Sequence, residues 1–353
     1  MIEIDGEQGE GGGQLLRSAL SLSAWLGRAF RISNIRARRP EPGLKPQHLA
    51  AVEIAARVCG AEVSGAERGS RELRFRPGVA RPGRYRLAVG TAGAATLVAQ
   101  TAFPPLWAAS GASTVVIEGG THVPWAPPAE YLAGVFAPSV RRLGLPLDAR
   151  IVRRGFHPRG GGLLEADVAE CASLDPARPN EWRRPARERI HVALTAVVCS
   201  LPRTIAERLL ARAAGILESR GWATATRLAQ CGEPVGAYLF IAVSAENPRR
   251  DEWIAGGFVG LGRRGRPAEA VAEEAAGEAL DFLESEAAVD FRLADQLLLP
   301  AIVSGVALRF RTNRVSAHLR SNADLISRFL GPCVAWTPDG EVAVRAPAET
   351  PPR

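Results

Sequence analysis

The sequence has one lysine, Lys45, so nearly all of its 44 basic residues are arginine. It has no apolar run near the ~20 residues that a membrane-spanning helix needs. Its N-terminus has no basic stretch followed by an apolar core, which is the pattern of a signal peptide. We therefore expect no membrane partner and a cytoplasmic location.

Cysteine is also scarce. The five cysteines, Cys59, Cys171, Cys199, Cys231 and Cys333, are odd in number and form no C-x-x-C pair. That spacing is not typical of a zinc site or of a disulfide framework. We expect reduced and mostly buried side chains.

The 353 residues are enough for two ordinary domains, and 46% hydrophobic with 23% charged residues is typical of a globular protein. The 44 basic residues exceed the 37 acidic ones by 7, and the pI is near 9.8. This charge favours a polyanionic partner such as RNA. The preference for arginine equally fits the habit of a GC-rich genome, so charge alone leaves both explanations open.

A glycine-rich turn at residues 5–17 joins a predicted strand to a predicted helix. The N–H groups at such a helix start suit an anion. The turn lacks the G-K-[ST] of a P-loop, and Glu7 and Glu10 do not fit the dinucleotide fingerprint. Carboxylates beside a phosphate make sense if a metal ion bridges them. A purely structural turn would need the glycines only for positive φ, but Glu10 and Arg17 favour a functional one.

The order of strand, small-residue turn and helix recurs at residues 84–100, which we interpret as weak internal repetition. Between the two copies lies a proline-stiffened basic loop at 36–48, which could grip a phosphate or could be a solvated connector. Pro104 and Pro105 predict a stop or kink in the helix that begins near 95.

The second half of the chain changes its pattern. Residues 172–189 are rich in proline, arginine and acidic residues and predict a linker. Residues 190–284 follow a strand–helix–strand–helix order that predicts an inserted α+β module. The earlier order returns near 291. Ser321 and Asp324 have capping-box spacing and predict a helix over 322–330, with His318 just before it.

Several motifs together resemble the RNA 3′-terminal phosphate cyclase family. They are the run at 5–14, Pro42-Gly43-Leu44 with Gln47-His48, Gly119-Gly120-Thr121, Gly155-Phe156 with the glycines at 160–162, Leu293-Ala294-Asp295-Gln296, and His318-Leu319 with Asn322. The resemblance covers residues 2 to about 346. The opening run and the histidine motif are specific to the family.

The resemblance implies an α/β (α+β) fold. A large domain of three repeated units, each a small sheet with two helices, would occupy 1–185 and 288–345. A smaller α+β domain would be inserted at 186–287, and we expect a disordered tail at 346–353.

The resemblance also implies a reaction. A histidine would attack the α-phosphorus of ATP and become adenylylated, and AMP would pass to an RNA 3′-phosphate. The neighbouring 2′-hydroxyl would then close a 2′,3′-cyclic phosphate. Imidazole is nucleophilic when neutral, and Mg²⁺ or Mn²⁺ would offset the triphosphate charge.

Matching positions assign each expected role. His318 would be the nucleophile and Glu10 the metal ligand. The phosphate contacts would be Arg17, Arg36, Arg39, Gln47 and His48. The nucleotide contacts would be Gln100, Pro127, Arg292, Leu293, Ala294, Asp295 and Gln296. Arg292 stands where family members often have an adenine-stacking aromatic residue, and a guanidinium can also stack on a base.

Three alternatives remain open at this stage. Non-catalytic ribosome-biogenesis relatives share the fold and bind RNA, but they lack the catalytic histidine, so His318 argues against them. Enolpyruvyl transferases have a related architecture, but this chain has no lysine-rich site. A simple RNA-binding module would not need Glu10 or the motif at 293–296. The sequence is compatible with a homodimer.

Overall fold

The structure, a computed structural model, describes residues 1–9, 12–171, 180–245 and 251–347. The described residues form helices and four sheets, and each sheet has four strands with both parallel and antiparallel pairs. The predicted α+β class is therefore confirmed. Among these residues, no helix is both long enough and apolar enough to cross a membrane.

The first unit is one sheet covered by two helices. Its elements are β1 (Ile2–Asp5), α1 (Gly13–Leu26), β2 (Phe30–Ser33), α2 (Pro46–Cys59), β3 (Glu62–Ser64) and β4 (Leu73–Arg76). The strand order is β1-β2-β4-β3, in which β1 and β2 are parallel and the other neighbours are antiparallel. Phe30 and Ile32 alternate with polar residues along β2 and bury one face of the sheet.

The second unit repeats this plan. Its elements are β5 (Arg84–Ala88), α3 (Ala95–Ala108), β6 (Ser113–Gly119), α4 (Ala129–Tyr131), a π-helical turn (Leu132–Phe136), α5 (Ala137–Arg142), β7 (Asp148–Arg153) and β8 (Gly162–Val168). The order β5-β6-β8-β7 and the strand directions match those of the first sheet.

The chain then forms one short strand before it enters a separate sheet. After β9 (Asn180–Trp182) come β10 (Ile190–Cys199), α6 (Arg203–Ser219), β11 (Thr224–Cys231), β12 (Gly236–Ala245), β13 (Ala255–Leu261) and α7 (Ala268–Leu283). This sheet has the order β11-β10-β12-β13. Its α6 and α7 cover a hydrophobic core of their own, which includes Leu194, Leu209 and Phe258.

The chain returns through α8 (Phe291–Gln296), α9 (Leu298–Ser304), β14 (Leu308–Arg311), α10 (Ala317–Leu330), β15 (Val334–Trp336) and β16 (Glu341–Val344). With β9 they give the order β9-β14-β16-β15, so the first, second, fourth and third strands are neighbours, as in the other two units. The three units therefore share one topology, although the domain bounds at 186 and 287 stay a prediction.

One segment differs from the sequence prediction. The proposed linker at 172–189 contains β9, which pairs in parallel with β14; residues 172–179 lie outside the described residues. Most of the tail predicted to be disordered, 348–353, also lies outside them. A three-residue strand in a proline-rich segment has no local signal, because its pairing partner lies more than a hundred positions later.

Helix α3 passes through Pro104 and Pro105, where the sequence predicted a stop or kink. Proline has no N–H, so Pro105 cannot bond to the carbonyl of Thr101 one turn earlier. The hydroxyl of Ser21, on α1, donates to that carbonyl at 2.9 Å. A neighbouring helix therefore satisfies the acceptor that proline leaves open, and the helix continues.

The expectation that every cysteine is reduced is wrong for two of them. Cys199 and Cys231 face each other in the parallel register of β10 and β11 and form a disulfide. Cys59 and Cys333 are buried thiols, as expected. The sequence could not predict the pair, because only the register of two strands brings the sulfurs together.

Candidate active site

A cleft of about 1250 Å³ opens between α1, α3, α8, α10 and the residues that follow β13. Most of the predicted site residues line it: Arg17, Arg36, Arg39, Gln47, His48, Gln100, Pro127, Arg292, Asp295, Gln296 and His318. Leu293 and Ala294 are fully buried in the core instead, so their side chains hold α8 in place. Glu10, the predicted metal ligand, lies outside the described residues.

The N-terminus of α1 faces this cleft with bare backbone. Gly12 is the N-cap, and no side chain of the described residues caps the helix. A Cβ on Gly13 would lie 2.2 Å from His48 Nε2 and 3.0 Å from Arg17 Nη1. A Cβ on Gly12 would lie 3.4 Å from Arg39 Nη2. We call these five residues the anion cluster, because helix N–H groups and cationic side chains converge there.

His48 contributes a neutral donor to the anion cluster. Its Nδ1 accepts the backbone N–H of Lys45 at 3.0 Å, so the ring proton is assigned to Nε2, beside Gly13. Burial and, secondarily, the positive charge of Arg17 lower the pKa of His48 to about 3. The imidazole therefore stays neutral at pH 7 and can donate one hydrogen bond towards an anion.

Gln14, the second residue of α1, ties three helices together. Its Nε2 donates to Asp295 Oδ2 at 2.5 Å and to the carbonyl of His318 at 3.4 Å. Asn322, on α10, donates from Nδ2 to the carbonyl of Asp295 at 3.0 Å. The sequence analysis assigned a role to neither Gln14 nor Asn322, although both lie within its motifs, and the structure makes them the braces between α1, α8 and α10.

Asp295 is a buried carboxyl whose charge is disfavoured. Burial and, secondarily, the nearby Asp290 raise its pKa to about 8, against the opposing effect of Arg17. Burial lowers the pKa of Arg17 to about 10, so its guanidinium remains a cation at pH 7. The positive charge of Arg17 is therefore only weakly neutralised by Asp295 and stays available to a phosphate.

We expect Asp295→Asn to remove a pH-dependent loss of stability. The pKa of Asp295 is about 8 in the folded state, against an ordinary value of 3.8. Between these two pH values only the folded state keeps the proton, so the free energy of unfolding falls as the pH rises from 3.8 to 8. Asparagine cannot titrate. Urea unfolding at pH 5 and 8.5 should show the variant gaining on the wild type as pH rises, whereas Asp281→Asn, exposed on α7, should not. Parallel behaviour of wild type and Asp295→Asn would contradict a burial-raised pKa.

The predicted nucleotide residues form a second group along the cleft. Gln100 Nε2 donates to Gln296 Oε1 at 2.7 Å, and Gln296 Nε2 donates to the carbonyl of Arg292 at 2.9 Å. Thr96 Oγ1 donates to the carbonyl of Pro127 at 2.8 Å, which fixes that proline beside α3. Two amides and a rigid apolar ring offer the mixed surface that a base needs.

Arg292 is held differently from a stacking aromatic residue. It forms a bidentate pair with Glu278, at 2.8 and 2.9 Å, and its guanidinium lies 4.4 Å from the ring centre of Phe291. The guanidinium of Arg314 lies 3.7 Å from the same ring. Phe291 and Arg314 also line the cleft, and the sequence analysis assigned neither of them to the site.

Two predicted phosphate residues have internal partners. Arg36 Nη1 donates to the carbonyls of Glu41 and Gly43, at 2.7 and 3.0 Å, and so shapes its own basic loop. Gln47 Oε1 accepts the N–H of Ala94 at 3.3 Å and joins the first glycine-rich turn to the second. Both side chains therefore build the wall of the cleft as well as lining it.

His318 lies in the first turn of α10, on an exposed part of the cleft. The prediction that this helix begins at 322 is wrong. It begins at Ala317, because Ser316 Oγ accepts the N–H of Leu319 at 3.0 Å, whereas Ser321 bonds to the carbonyl of Ala317 inside the helix. The histidine is thus carried on a capped, rigid turn beside the anion cluster.

Comparison with known proteins decides the family. A family model described as RNA 3′-terminal phosphate cyclase matches residues 8–335, which include every motif discussed except the first residues of the glycine-rich turn. The chain belongs to this family. The share of the chain that is matched is far more than a local motif would give.

Two curated relatives agree with this assignment. A protein named RNA 3′-terminal phosphate cyclase from Methylococcus capsulatus is 43% identical over 337 residues, covering 93% of this chain and 91% of the relative. One of the same name from Ralstonia nicotianae is 44% identical over 330 residues, with the same two shares. Among solved structures, the enolpyruvyl transferase NikO from Streptomyces tendae matches 49% of this chain and 33% of its own, at 17% identity and a TM-score of 0.26, which supports no conclusion.

A cyclase-family metal ion cannot be placed with the described residues. Within 1–9, 12–171, 180–245 and 251–347, no group of three His, Cys, Asp or Glu side chains could hold one. Asp295 is a carboxyl that interacts with Arg17 of the anion cluster, but it bonds to Gln14 and its raised pKa disfavours the charged form that a metal requires.

The anion cluster of this cyclase-family protein predicts a strong effect for Gly13→Ala. The added methyl would displace His48, whose Nε2 lies 2.2 Å from the position that the new Cβ would take. We expect the KM for ATP to rise by about tenfold, the typical loss when one good polar contact of roughly 1.4 kcal/mol is broken. Gly215→Ala, on α6 with open space at the same atom, is the matched control. Equal KM values for Gly13→Ala and Gly215→Ala would show that the anion cluster does not bind ATP.

Proposed function

We propose that this protein converts a 3′-phosphate at the end of an RNA chain into a 2′,3′-cyclic phosphate at the expense of ATP. The observation that carries the proposal is the placement of His318, exposed in the same cleft as the anion cluster. A nucleophile beside a set of phosphate-binding groups suits phosphoryl or nucleotidyl transfer. Family membership and the names of the relatives support the RNA substrate.

The first step is formation of a histidine adenylate. A neutral imidazole nitrogen of His318 attacks the α-phosphorus of ATP, a nitrogen–phosphorus bond forms, and the bond to the pyrophosphate leaving group breaks. The position in the first turn of α10 exposes the ring, while the Gln14 bond to the His318 carbonyl fixes its backbone. Arg17 and the Nε2–H of His48 would stabilise negative charge on the phosphates.

The second and third steps use the RNA end. An oxygen of the 3′-phosphate attacks the adenylate phosphorus, and the nitrogen–phosphorus bond breaks to return neutral His318. The 2′-hydroxyl then attacks the activated 3′-phosphorus, loses its proton and expels AMP. The products are the cyclic phosphate and AMP. Proximity of the 2′-oxygen within the same ribose supplies most of the advantage of this closure.

Each group of predicted residues has a place in this scheme. Arg17, Arg39 and His48 would bind phosphate, and Arg36 and Gln47 would shape the loop that presents them. Gln100, Pro127, Arg292 and Gln296 would hold the nucleotide, with Leu293 and Ala294 acting through burial and Asp295 as a brace. Mg²⁺ or Mn²⁺, with Glu10 as a ligand, would neutralise triphosphate charge when bound.

The test compares two RNA ends. A labelled single-stranded RNA with a 3′-phosphate is incubated with the protein, ATP and Mg²⁺ or Mn²⁺, and the matched RNA with a 3′-hydroxyl serves as control. We expect a cyclic end, resistant to phosphatase, on the first RNA only, with one AMP released for each end closed. RNA that binds but keeps a phosphatase-sensitive end would favour the non-catalytic relatives instead.

A further inference from the structure

Trp125 is exposed in a way that no other tryptophan of the chain is. Its side chain is fully exposed, whereas the side chain of Trp336, the second most exposed tryptophan, is 38% exposed. Its φ of 66° is in the left-handed region, which is uncommon and costly for a bulky residue. Among the described residues, no ring, cation or hydrogen bond holds the indole. A large apolar ring kept in water by a strained backbone requires an explanation.

The position of Trp125 provides one. It lines the cleft that contains the anion cluster, two residues before Pro127, in a segment where prolines limit the freedom of the backbone. The ring is therefore presented at the cleft on a stiff support. An exposed aromatic ring on a rigid loop is the usual platform on which a base of single-stranded RNA stacks.

Two arginines lie on a second loop, the turn between β13 and α7. Arg263 lines the cleft, and both Arg263 and Arg264 are exposed in the turn between β13 and α7. The start of this turn is fixed by the Gly262 N–H, which donates to the carbonyl of Ala237 at 2.8 Å. Its end is fixed by the ion pair between Arg266 and Glu274, at 2.5 Å. The tip is thus anchored while its two guanidiniums remain available.

Stacked and hydrogen-bonded side chains join this turn to the segment of Trp125. Leu261, just before the turn, is the register partner of Tyr238. The ring of Tyr238 stacks on His122 at 4.1 Å between centres, and both side chains bond to Glu130. His122 lies three positions before Trp125. Packed side chains therefore connect the segment that carries Trp125 to the strand that precedes the two arginines.

We infer that Trp125, together with Arg263 and Arg264, binds the RNA strand upstream of its terminal phosphate. An upstream base would stack on the indole, and the arginines would contact backbone phosphates, which guanidinium binds well. The inference rests on the proposed function, because it places the 3′ end at the anion cluster. It also gives the inserted sheet a role in RNA binding, because β13 carries the arginines to the cleft.

The experiment measures binding and adenylylation separately. Fluorescence anisotropy follows a 3′-phosphorylated single-stranded RNA of roughly 10 nucleotides, within the usual site size of stacking proteins. A nucleoside 3′-phosphate, assayed as a competitor, has the reacting end but no upstream base. Trp125→Ala should weaken binding of the longer RNA by about tenfold and of the nucleoside 3′-phosphate little. Trp125→Phe should restore most of the affinity, because stacking needs only an aromatic face.

The arginine variants should also change the salt dependence of RNA binding. Arg263→Ala combined with Arg264→Ala should weaken binding of the longer RNA and reduce the steepness with which salt weakens it. The matched controls are Trp336→Ala, and the double variant Arg84→Ala with Arg86→Ala, whose exposed arginines on β5 are not at the cleft. Neither control should change the affinity.

Several results would overturn the inference. One is unchanged affinity of Trp125→Ala for the longer RNA. Another is an equal loss for the longer RNA and the nucleoside 3′-phosphate, and a third is a raised KM for ATP with RNA affinity intact, which would assign the indole to the nucleotide. Adenylylation of the wild type, measured without RNA, tests the proposed function independently. A wild type that takes no AMP would contradict the proposed function. Normal adenylylation, together with unchanged RNA binding by Trp125→Ala, would contradict only this inference.

Discussion

His318→Ala will take no AMP from ATP, while the wild type will carry one. The reason is that the imidazole is the proposed nucleophile and alanine offers no atom that can form a bond to phosphorus. The loss should be complete within detection, in contrast to the partial losses expected for binding residues. Labelled ATP, followed by denaturing electrophoresis, measures the covalent adduct. The adduct should be lost in acid and persist in base, as a phosphoramidate does.

Folding will not explain the loss. His318 is exposed on the first turn of α10, whose cap is formed by Ser316, so its removal leaves the core unchanged. Thermal unfolding of His318→Ala should match the wild type. His191→Ala, in the inserted sheet, is the matched histidine control and should label normally. Labelling of His318→Ala at the wild-type level would show that the nucleophile lies elsewhere.

Asp290→Ala will cause a large loss of stability. Its buried carboxylate accepts the hydroxyl of Tyr131 at 2.9 and 3.0 Å and the N–H groups of Gly257, Arg292 and Leu293 at 2.7 to 3.0 Å. Removing it leaves all these donors buried without an acceptor. We expect the free energy of unfolding to fall by roughly 3–5 kcal/mol.

Urea unfolding measures this loss, and two variants calibrate it. Tyr131→Phe removes one donor and leaves the carboxylate with three, so it should cost about 1 kcal/mol. Asp281→Ala, exposed on α7, should change the midpoint little. Because Asp290 caps α8, which carries Asp295 and Gln296, adenylylation should also weaken in Asp290→Ala. A midpoint equal to that of Tyr131→Phe would mean that the carboxylate is not the centre of this network.

Local patterns explain why much of the fold could be predicted. The glycine-rich turn at 5–17 was predicted to join a strand to a helix, and it joins β1 to the bare N-terminus of α1. The order of elements predicted repetition and an insert, and the three sheets share one strand order. These features depend on residues close in sequence, so a sequence carries them directly.

The features that sequence analysis missed depend on distant residues. Pro105 stays helical because Ser21, on another helix, bonds to Thr101. Cys199 meets Cys231 only through strand register. Trp125 combines full exposure with a left-handed backbone, and no local rule predicts that conformation for tryptophan.

The candidate site shows the same division. Residue types and motifs pointed to His318 and the basic loop, but the neutral state of His48 requires its burial and its bond to Lys45. The brace from Gln14 to Asp295 joins positions 281 apart. Chemistry that depends on burial and on contacts between units becomes visible only when the units are assembled.

The most direct test of the account is a single turnover of the isolated adenylate. The protein is labelled with ATP, freed of nucleotide, and mixed with RNA that ends in a 3′-phosphate or a 3′-hydroxyl. The account predicts that AMP leaves the peptide containing His318 only with the 3′-phosphate RNA, and that one 2′,3′-cyclic end forms for each AMP released. AMP mapped to another residue, or released without a cyclic end, would contradict it.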